Sequence, residues 1–282
     1  MLNWGRLLSE QNENDTPGRK GGHGRKGGQK RGSGTLFMRK GGQVPFNFYI
    51  CYNKTMPRII RTDVGNNCYH VINRANARLP IFFDEEDYVL FEDVLEEAQE
   101  KFSMRILAYC IMPNHFHLVL YPREDGNMGK FMQWLTLTHT QRWHQSKNTK
   151  GTGHLYQGRY KSFLIQDDNH LLSAIRYVER NALRAKLVKK AENWRFCSLA
   201  RRLSGVSREK GKRKILSEWP IPEPKDYLLF VNTPQSEEEE EKIKTSITRG
   251  KPFGTDMWTD EMIKKFKLET TIRPSGRPKK GT

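Results

Sequence analysis

Two histidines separated by one phenylalanine, His115-Phe116-His117, stand in the run from Ile111 to Leu120. Side chains alternate faces along a strand. His115 and His117 therefore share one face, and Phe116, Leu118 and Leu120 point the other way into a core. Two adjacent imidazoles make a ready pair of ligands for one divalent metal. The same spacing also describes two ordinary hydrogen-bonded strand histidines. The pattern places the pair on the open surface of a sheet whose opposite side is buried. A metal site further needs a third ligand and a reaction to perform.

Candidates for both lie further along the chain. His170, Ala174, Tyr177, Asn181 and Arg184 recur with the helical period and form one stripe. Leu171, Ile175, Val178 and Ala182 form an apolar stripe about 100° away. The helix can pack with the apolar stripe and present a tyrosine, an amide and an arginine along its shoulder. Asn181 follows Tyr177 by one turn, so its carboxamide oxygen could reach a metal near the phenol. The plainer reading makes Tyr177 a half-buried aromatic and Asn181 a surface residue near a helix end. After Gly158, Arg159, Lys161 and Phe163 share one face, and Tyr160, Ser162 and Leu164 the other. Arg159 and Lys161 are the best phosphate contacts there, with Arg184 and Arg74 behind them. Tyr156 and Tyr160 either stack nucleobases or fill the core, and each competes with Tyr177 as a nucleophile.

These residues need elements to hold them. Cys68-Tyr69-His70-Val71-Ile72 reads as a strand. Asp84 or a neighbour caps a helix carrying Tyr88, Phe91, Val94, Leu95 and Ala98. Met104 to Met112 is apolar on both faces, hence a central strand, and Pro113-Asn114 separates it from the strand His115 to Tyr121. A second helix covers Asn127 to about Lys147 with Met128, Phe131, Leu135 and Trp143. Leu155 to Ile165 is extended, broken near Gly158, and Asp167-Asp168 cap a third helix reaching about Leu187. The order β-α-β-β-α-β-α makes an α+β sandwich on a small antiparallel sheet. Beyond Trp194 the periodicity fades into a basic loop (Ser207 to Lys214), a Pro-rich break (Pro220 to Pro224), an acidic run (Glu237 to Glu241) and a basic tail (Arg273 to Lys280). The acidic run reads as a solvated helix start or linker.

The chain's 282 residues suffice for one or two domains, and its net charge is +17. A mean hydropathy of -0.79 and a pI of about 9.7 imply unstructured segments and a polyanionic partner, nucleic acid before anionic membrane. The longest apolar run, Ile106 to Met112, is far short of the ~18 residues of a membrane span. No secretory signal precedes the ordered region, and four scattered cysteines, without a Cys-x-x-Cys pair, suit a reducing, cytoplasmic setting. Thr16 to Gly42 is a Gly/Lys/Arg segment without one acid. It is expected to be a disordered arm, either a phosphate-binding tail or a stretch upstream of a true start at Met56. The expected division is an arm over 1–55, a catalytic domain over 56–203 and an irregular extension over 204–282.

Three blocks carry a resemblance: Met112-Pro113-Asn114-His115-Phe116-His117, Gly153 to Ser162, and Ile175-Arg176-Tyr177-Val178-Glu179-Arg180-Asn181-Ala182. They resemble the single-tyrosine HUH transposases, most closely the REP-associated tyrosine transposase branch, as does Trp194-Arg195-Phe196-Cys197-Ser198. The resemblance covers roughly Met56 to Arg202 and neither tail. It departs at Ala182, where the family sequence reads closer to Asn-Pro. It implies a ferredoxin-like HUH nuclease fold and single-stranded DNA cleavage and rejoining. Tyr177 would be the nucleophile, and His115, His117 and Asn181 would hold Mg²⁺ or Mn²⁺. It also implies a 5′-phosphotyrosine intermediate, a single-stranded or hairpin DNA substrate, and no nucleotide cofactor. No Walker-type loop is present, since the arm's glycines lack a Gly-Lys-Ser/Thr ending. The short span from Ile165 to Tyr177 offers no swap linker, which favours a monomer with its site in cis. Two rivals stand beside this reading. One is a hairpin nucleic-acid-binding module of the same fold without catalysis. The other is a basic ribosome- or nucleoid-associated protein that binds through charge alone.

Overall fold

In the computed structural model, residues 61–204 and 215–273 are described. The basic arm, the Met56 start, the 207–214 loop and the tail beyond Arg273 lie outside the described residues.

The first strand, β1 (Cys68–Arg74), is followed by helix α1 (Glu85–Phe102), strands β2 (Arg105–Met112) and β3 (His115–Tyr121), helix α2 (Asn127–Ser146), strand β4 (Lys161–Ile165) and helix α3 (Asn169–Glu179). The expected β-α-β-β-α-β-α order is present. The strands form one antiparallel sheet in the order β2-β3-β1-β4, with Ile72 opposite His117 and His70 opposite both Val119 and Phe163. Helices α1 and α2 pack together beneath one face, where Phe91 and Phe116 lie 4.7 Å apart between ring centroids. Helix α3 packs on the other face against β2, β3 and β4.

Local chemistry explains the helix ends. Asp84 accepts from the Asp87 amide, and Glu85, Glu86 and Asp87 complement the positive end of the α1 dipole. The helix stops at Ser103, which is left-handed at φ 48°. Tyr88, Phe91, Val94, Leu95 and Ala98 are all buried, as their spacing predicts. Gly126, in the left-handed region at φ 73°, opens α2 and has no side chain to cap it. Asp63 supplies the cap instead, accepting from the amides of Met128 (3.1 Å) and Gly129 (2.7 Å).

Three departures from the sequence expectations follow from packing. The segment from Leu155 to Ile165 forms a strand only from Lys161, although Tyr156 makes an isolated bridge to Ala75. The third helix is interrupted at Arg180, continues as α4 (Asn181–Arg184) and ends there, short of Leu187. Helix α5 (Ser198–Leu203) ends the expected catalytic domain, and the extension expected to be irregular carries helices α6 (Tyr227–Asn232), α7 (Glu237–Arg249) and α8 (Asp256–Phe266). The acidic run is the first turn of α7, capped by Ser236, whose hydroxyl accepts from the Glu239 amide. Four glutamates at the positive end of a helix dipole are favourably placed.

These later segments close the sheet edges, which would otherwise expose unpaired backbone groups. Along β2, the Ile111 amide donates to the Phe196 carbonyl, the Tyr109 amide to Ser198 Oγ and the Ser217 amide to the Ile106 carbonyl. The register shift between Ile106 and Ala108 leaves the Leu107 carbonyl out of the ladder, and Trp219 Nε1 and Arg202 both donate to it. Along β4, the Phe253 backbone pairs with Leu164 and Gln166.

Candidate active site

The face of β3 that carries His115 and His117 is covered. Helix α3 lies on it, His117 is buried and His115 is partly exposed, so the expected open sheet surface is corrected. The polar stripe of α3 and α4 faces the sheet. Ala174, Tyr177 and Asn181 are buried together with Leu171, Ile175, Val178 and Ala182. Tyr177 is 4% exposed rather than standing on the shoulder. The helix is enclosed because α6 and α7 pack on its far side.

This packing brings the sequence candidates together within one chain. The ring centroids of His115 and His117 are 5.0 Å apart, and Tyr177 is 6.1 Å from His117. The Arg184 guanidinium lies over the Tyr177 ring, its Cζ 3.8 Å from the centroid. Asn181 is buried, and its Nδ2 has no partner among the described residues. Arg74 sits on the same β1 face and acts electrostatically on both histidines.

The tautomer of His115 follows from its neighbour. Asn114 Nδ2 donates to the Arg78 carbonyl (2.8 Å), which orients the amide and turns its Oδ1 toward His115. His115 Nδ1 must therefore donate to Oδ1 at 2.6 Å, leaving Nε2 with a lone pair. Burial pushes the His115 imidazole down to about 3, and Arg74 and Arg184 push the same way. His117 is held well below its ordinary value by burial, then by His70, His115 and the two arginines. Both rings are neutral at neutral pH, as metal ligation requires.

Burial raises the Tyr177 phenol above its ordinary value, while Arg184 and then Lys244 of α7 oppose the shift. It stays protonated at neutral pH, and Arg184 is the group placed to stabilise a phenolate. Of the rival tyrosines, Tyr156 donates its hydroxyl to His139 Nδ1 or accepts from it (2.7 Å) on the opposite face of the sheet. Tyr160 lies beneath the Arg61 guanidinium, 4.1 Å from Cζ to ring centroid.

Arg159 and Lys161 are exposed, as phosphate contacts must be, but Arg159 precedes β4 and shares no strand register with Lys161. They line a cavity of about 500 Å³ together with Arg74, Gln157 and Thr248 of α7. Arg74 is shared between this cavity and the histidine face, whereas Arg184 lies over Tyr177.

The donor set suits a divalent cation in one particular way. His115 and His117 offer nitrogen, Asn181 offers a carboxamide, and no carboxylate joins them. Among the described residues no group of three His, Cys, Asp or Glu could hold a metal. A neutral donor set beside Arg74 and Arg184 would hold a free cation only weakly, and an anion such as phosphate would strengthen it.

Sequence reasoning missed His70. It is fully buried on β1, stacks on Phe163 (4.8 Å between centroids) and meets His117 through a 2.8 Å contact between His70 Nε2 and His117 Nδ1. The alternation of β1 places His70, Ile72 and Arg74 on one face, but nothing local says that this face meets the histidines of β3.

The helix is anchored by the residues around it. Glu179 is fully buried and accepts from Ser198 Oγ and Tyr227 Oη, both at 2.5 Å, with Arg202 Nε 4.0 Å away. Trp194 Nε1 donates to the Ile111 carbonyl (2.9 Å). The Trp194 to Ser198 segment therefore fastens the tyrosine-bearing helix to the edge of β2. Arg176 and Arg180 donate to the Thr233 and Asn232 carbonyls at the end of α6.

Residues 63–181 match the model of a family described as IS200-like transposases. A Haemophilus influenzae protein described as a REP-associated tyrosine transposase is 23% identical over 124 residues, which is 41% of this chain and 70% of the relative. Among solved structures, a REP-associated tyrosine transposase bound to a REP hairpin aligns at 14% identity with a TM-score of 0.45, covering 58% of this chain and 95% of its own. A Deinococcus radiodurans structure described as a transposase aligns at 20% identity with a TM-score of 0.32, covering 44% and 94%.

Proposed function

The chain belongs, through residues 63–181, to the IS200-like transposase family, and from that premise we propose that it nicks and rejoins single-stranded or hairpin DNA with Tyr177 as nucleophile. The observation that carries this reading is the convergence of His115, His117, Tyr177 and Arg184 on one covered face of the sheet, although they come from two distant stretches of sequence, with Asn181 buried one turn beyond Tyr177.

On this reading Arg159, Lys161 and Arg74 hold the DNA backbone without reading its sequence. His115 Nε2, His117 and the Asn181 carboxamide would hold Mg²⁺ or Mn²⁺, which would supply positive charge against the scissile phosphate. Tyr177 Oη attacks phosphorus, a Tyr–O–P bond forms, and the bond from phosphorus to the 3′ oxygen breaks. The phenol proton leaves as the phenolate develops beneath Arg184, and the departing 3′ oxygen gains a proton to become a hydroxyl. One phosphate ester replaces another, so no ATP is consumed. Reversal with a different 3′-hydroxyl joins new strands. Because Tyr177 is 4% exposed, its cover must yield before a phosphate can reach it. That same burial favours one rival, a hairpin-binding module that no longer cleaves.

The test incubates the full chain with 5′- and 3′-labelled hairpin oligonucleotides and Mn²⁺, followed by a denaturing gel. A metal-dependent covalent protein–DNA band that His115→Ala abolishes supports the enzyme. Tight binding without any band, on every substrate tried, replaces it with the binding module.

A further inference from the structure

We propose that His70 is a positioning residue that takes the Nδ1 proton of His117 in a hydrogen bond, and so sets His117 Nε2 free to bind a cation. The inference rests on the metal-site reading above.

The 2.8 Å contact between His70 Nε2 and His117 Nδ1 has room for one hydrogen. In neutral rings two arrangements satisfy it. If His70 donates, the single proton of His117 sits on Nε2, and that nitrogen cannot ligate. If His117 donates, Nε2 carries the lone pair and His70 must hold its own proton on Nδ1. Only the second arrangement matches the tautomer that Asn114 imposes on His115, where Nδ1 donates and Nε2 is open. A ligating histidine is ordinarily oriented through its second ring nitrogen by an acceptor, and here the acceptor is another histidine.

Packing alone does not account for His70. It is fully buried between Tyr69 and Val71 on a central strand, and its ring stacks on Phe163 at an interplanar angle of 22°. An apolar side chain would fill that space without leaving a polar atom stranded. Instead, His70 Nδ1 is buried with no partner among the described residues, an arrangement native cores avoid. Phe163 and the strand fix the His70 plane, so the ring cannot turn away from His117. In the donating state of His70 the stranded Nδ1 is a bare lone pair. In its accepting state Nδ1 bears a hydrogen. The Tyr177 ring lies in the same enclosure, 6.5 Å from His70 between centroids.

The experiment uses the full chain in the Tyr177→Phe background, so that no DNA is cleaved. Ring nitrogens of ¹⁵N-histidine-labelled protein are observed by NMR with a hairpin oligonucleotide, before and after adding Mg²⁺. The expected bound state has protons on Nδ1 of both His70 and His117. Mn²⁺ affinity in the presence of DNA, read from the free-ion EPR signal, is expected to fall 10- to 100-fold in His70→Phe. His70→Gln, whose amide oxygen can accept from His117, is expected to recover most of that loss. If the parent binds Mn²⁺ with DNA, loses it in His115→Ala, and keeps it in His70→Phe, the role of His70 is overturned while the metal site stands. If the parent binds no Mn²⁺ even with DNA, the metal reading itself falls, and this inference with it. Should His70→Phe fail to fold, the NMR result on the histidine-containing chain decides: a proton remaining on His117 Nε2 with Mg²⁺ bound overturns the inference.

Discussion

Acid should unfold this protein in a way that one histidine can be shown to share. His139 lies in α2 inside an aromatic nest, its ring 5.5 Å from Phe82 and 5.0 Å from Phe91 between centroids. Its Nδ1 meets the Tyr156 hydroxyl at 2.7 Å, and its Nε2 is buried without a partner. A charged ring would need acceptors at both nitrogens in a site that offers only one. Burial accordingly pushes His139 from its ordinary 6.5 down to about 3. A folded-state value below the unfolded one means that the unfolded chain binds the extra proton. The contribution to stability is therefore complete above pH 6.5 and is lost as pH falls toward 3. Between pH 8 and pH 5 the loss is RT ln(1 + 10^1.5), about 2 kcal/mol, against a total of about 5–15 kcal/mol for a typical domain. Urea unfolding at pH 8, 7, 6 and 5 should show His139→Gln losing stability less steeply than the parent. The two curves should converge by about 2 kcal/mol at pH 5. Parallel curves would refute the reasoning, because they would mean that His139 charges as easily in the fold as outside it.

Other perturbations test the scaffold and its charge. Ser198→Ala leaves a Glu179 oxygen without its hydroxyl donor and the Tyr109 amide without an acceptor. It should cost about 2–4 kcal/mol in urea unfolding, more than Tyr227→Phe, which removes one donor. The Asp63 carboxylate caps α2 from outside the helix, and Asp63→Ala should destabilise by about 1 kcal/mol, read as a lower thermal midpoint. Arg159→Ala should weaken binding of every oligonucleotide alike and reduce the slope of log affinity against log salt by about 1. A sequence-dependent loss would show that Arg159 reads bases.

The elements were legible because their signals are local. Period two exposed the His115–His117 pair, period 3.6 exposed the Tyr177–Asn181 pair, and Asp84 and Asp168 announced the helices they cap. The meeting of these pieces was legible only through the family resemblance. His70 escaped notice because its partner is 47 residues away. Only the Ile72–His117 register reveals that the two rings are diagonal neighbours. The burial of Tyr177 escaped for a related reason. Tyr177 turns toward the sheet histidines, while α6, only 6 residues long, and α7, opening on a run of glutamates, close the far side of its helix. Five apolar residues in a row on α6 are too short a run to show a helical period, and α7 offers no apolar residue beyond Ile243 and Ile247. The Trp194 to Ser198 motif was visible as a resemblance, whereas its work, pinning Glu179 and the β2 edge, depends on contacts made across the fold.

The central claim, that Tyr177 is the nucleophile, is tested most directly by locating the covalent link. The full chain is reacted with a hairpin oligonucleotide and Mn²⁺, the DNA is trimmed with nuclease, and the tryptic peptides are sequenced by mass spectrometry. A 5′-phosphonucleotide is expected on the peptide that contains Tyr177, and none in Tyr177→Phe. A nucleotide on Tyr156 or Tyr160, or an adduct that persists in Tyr177→Phe, would contradict it.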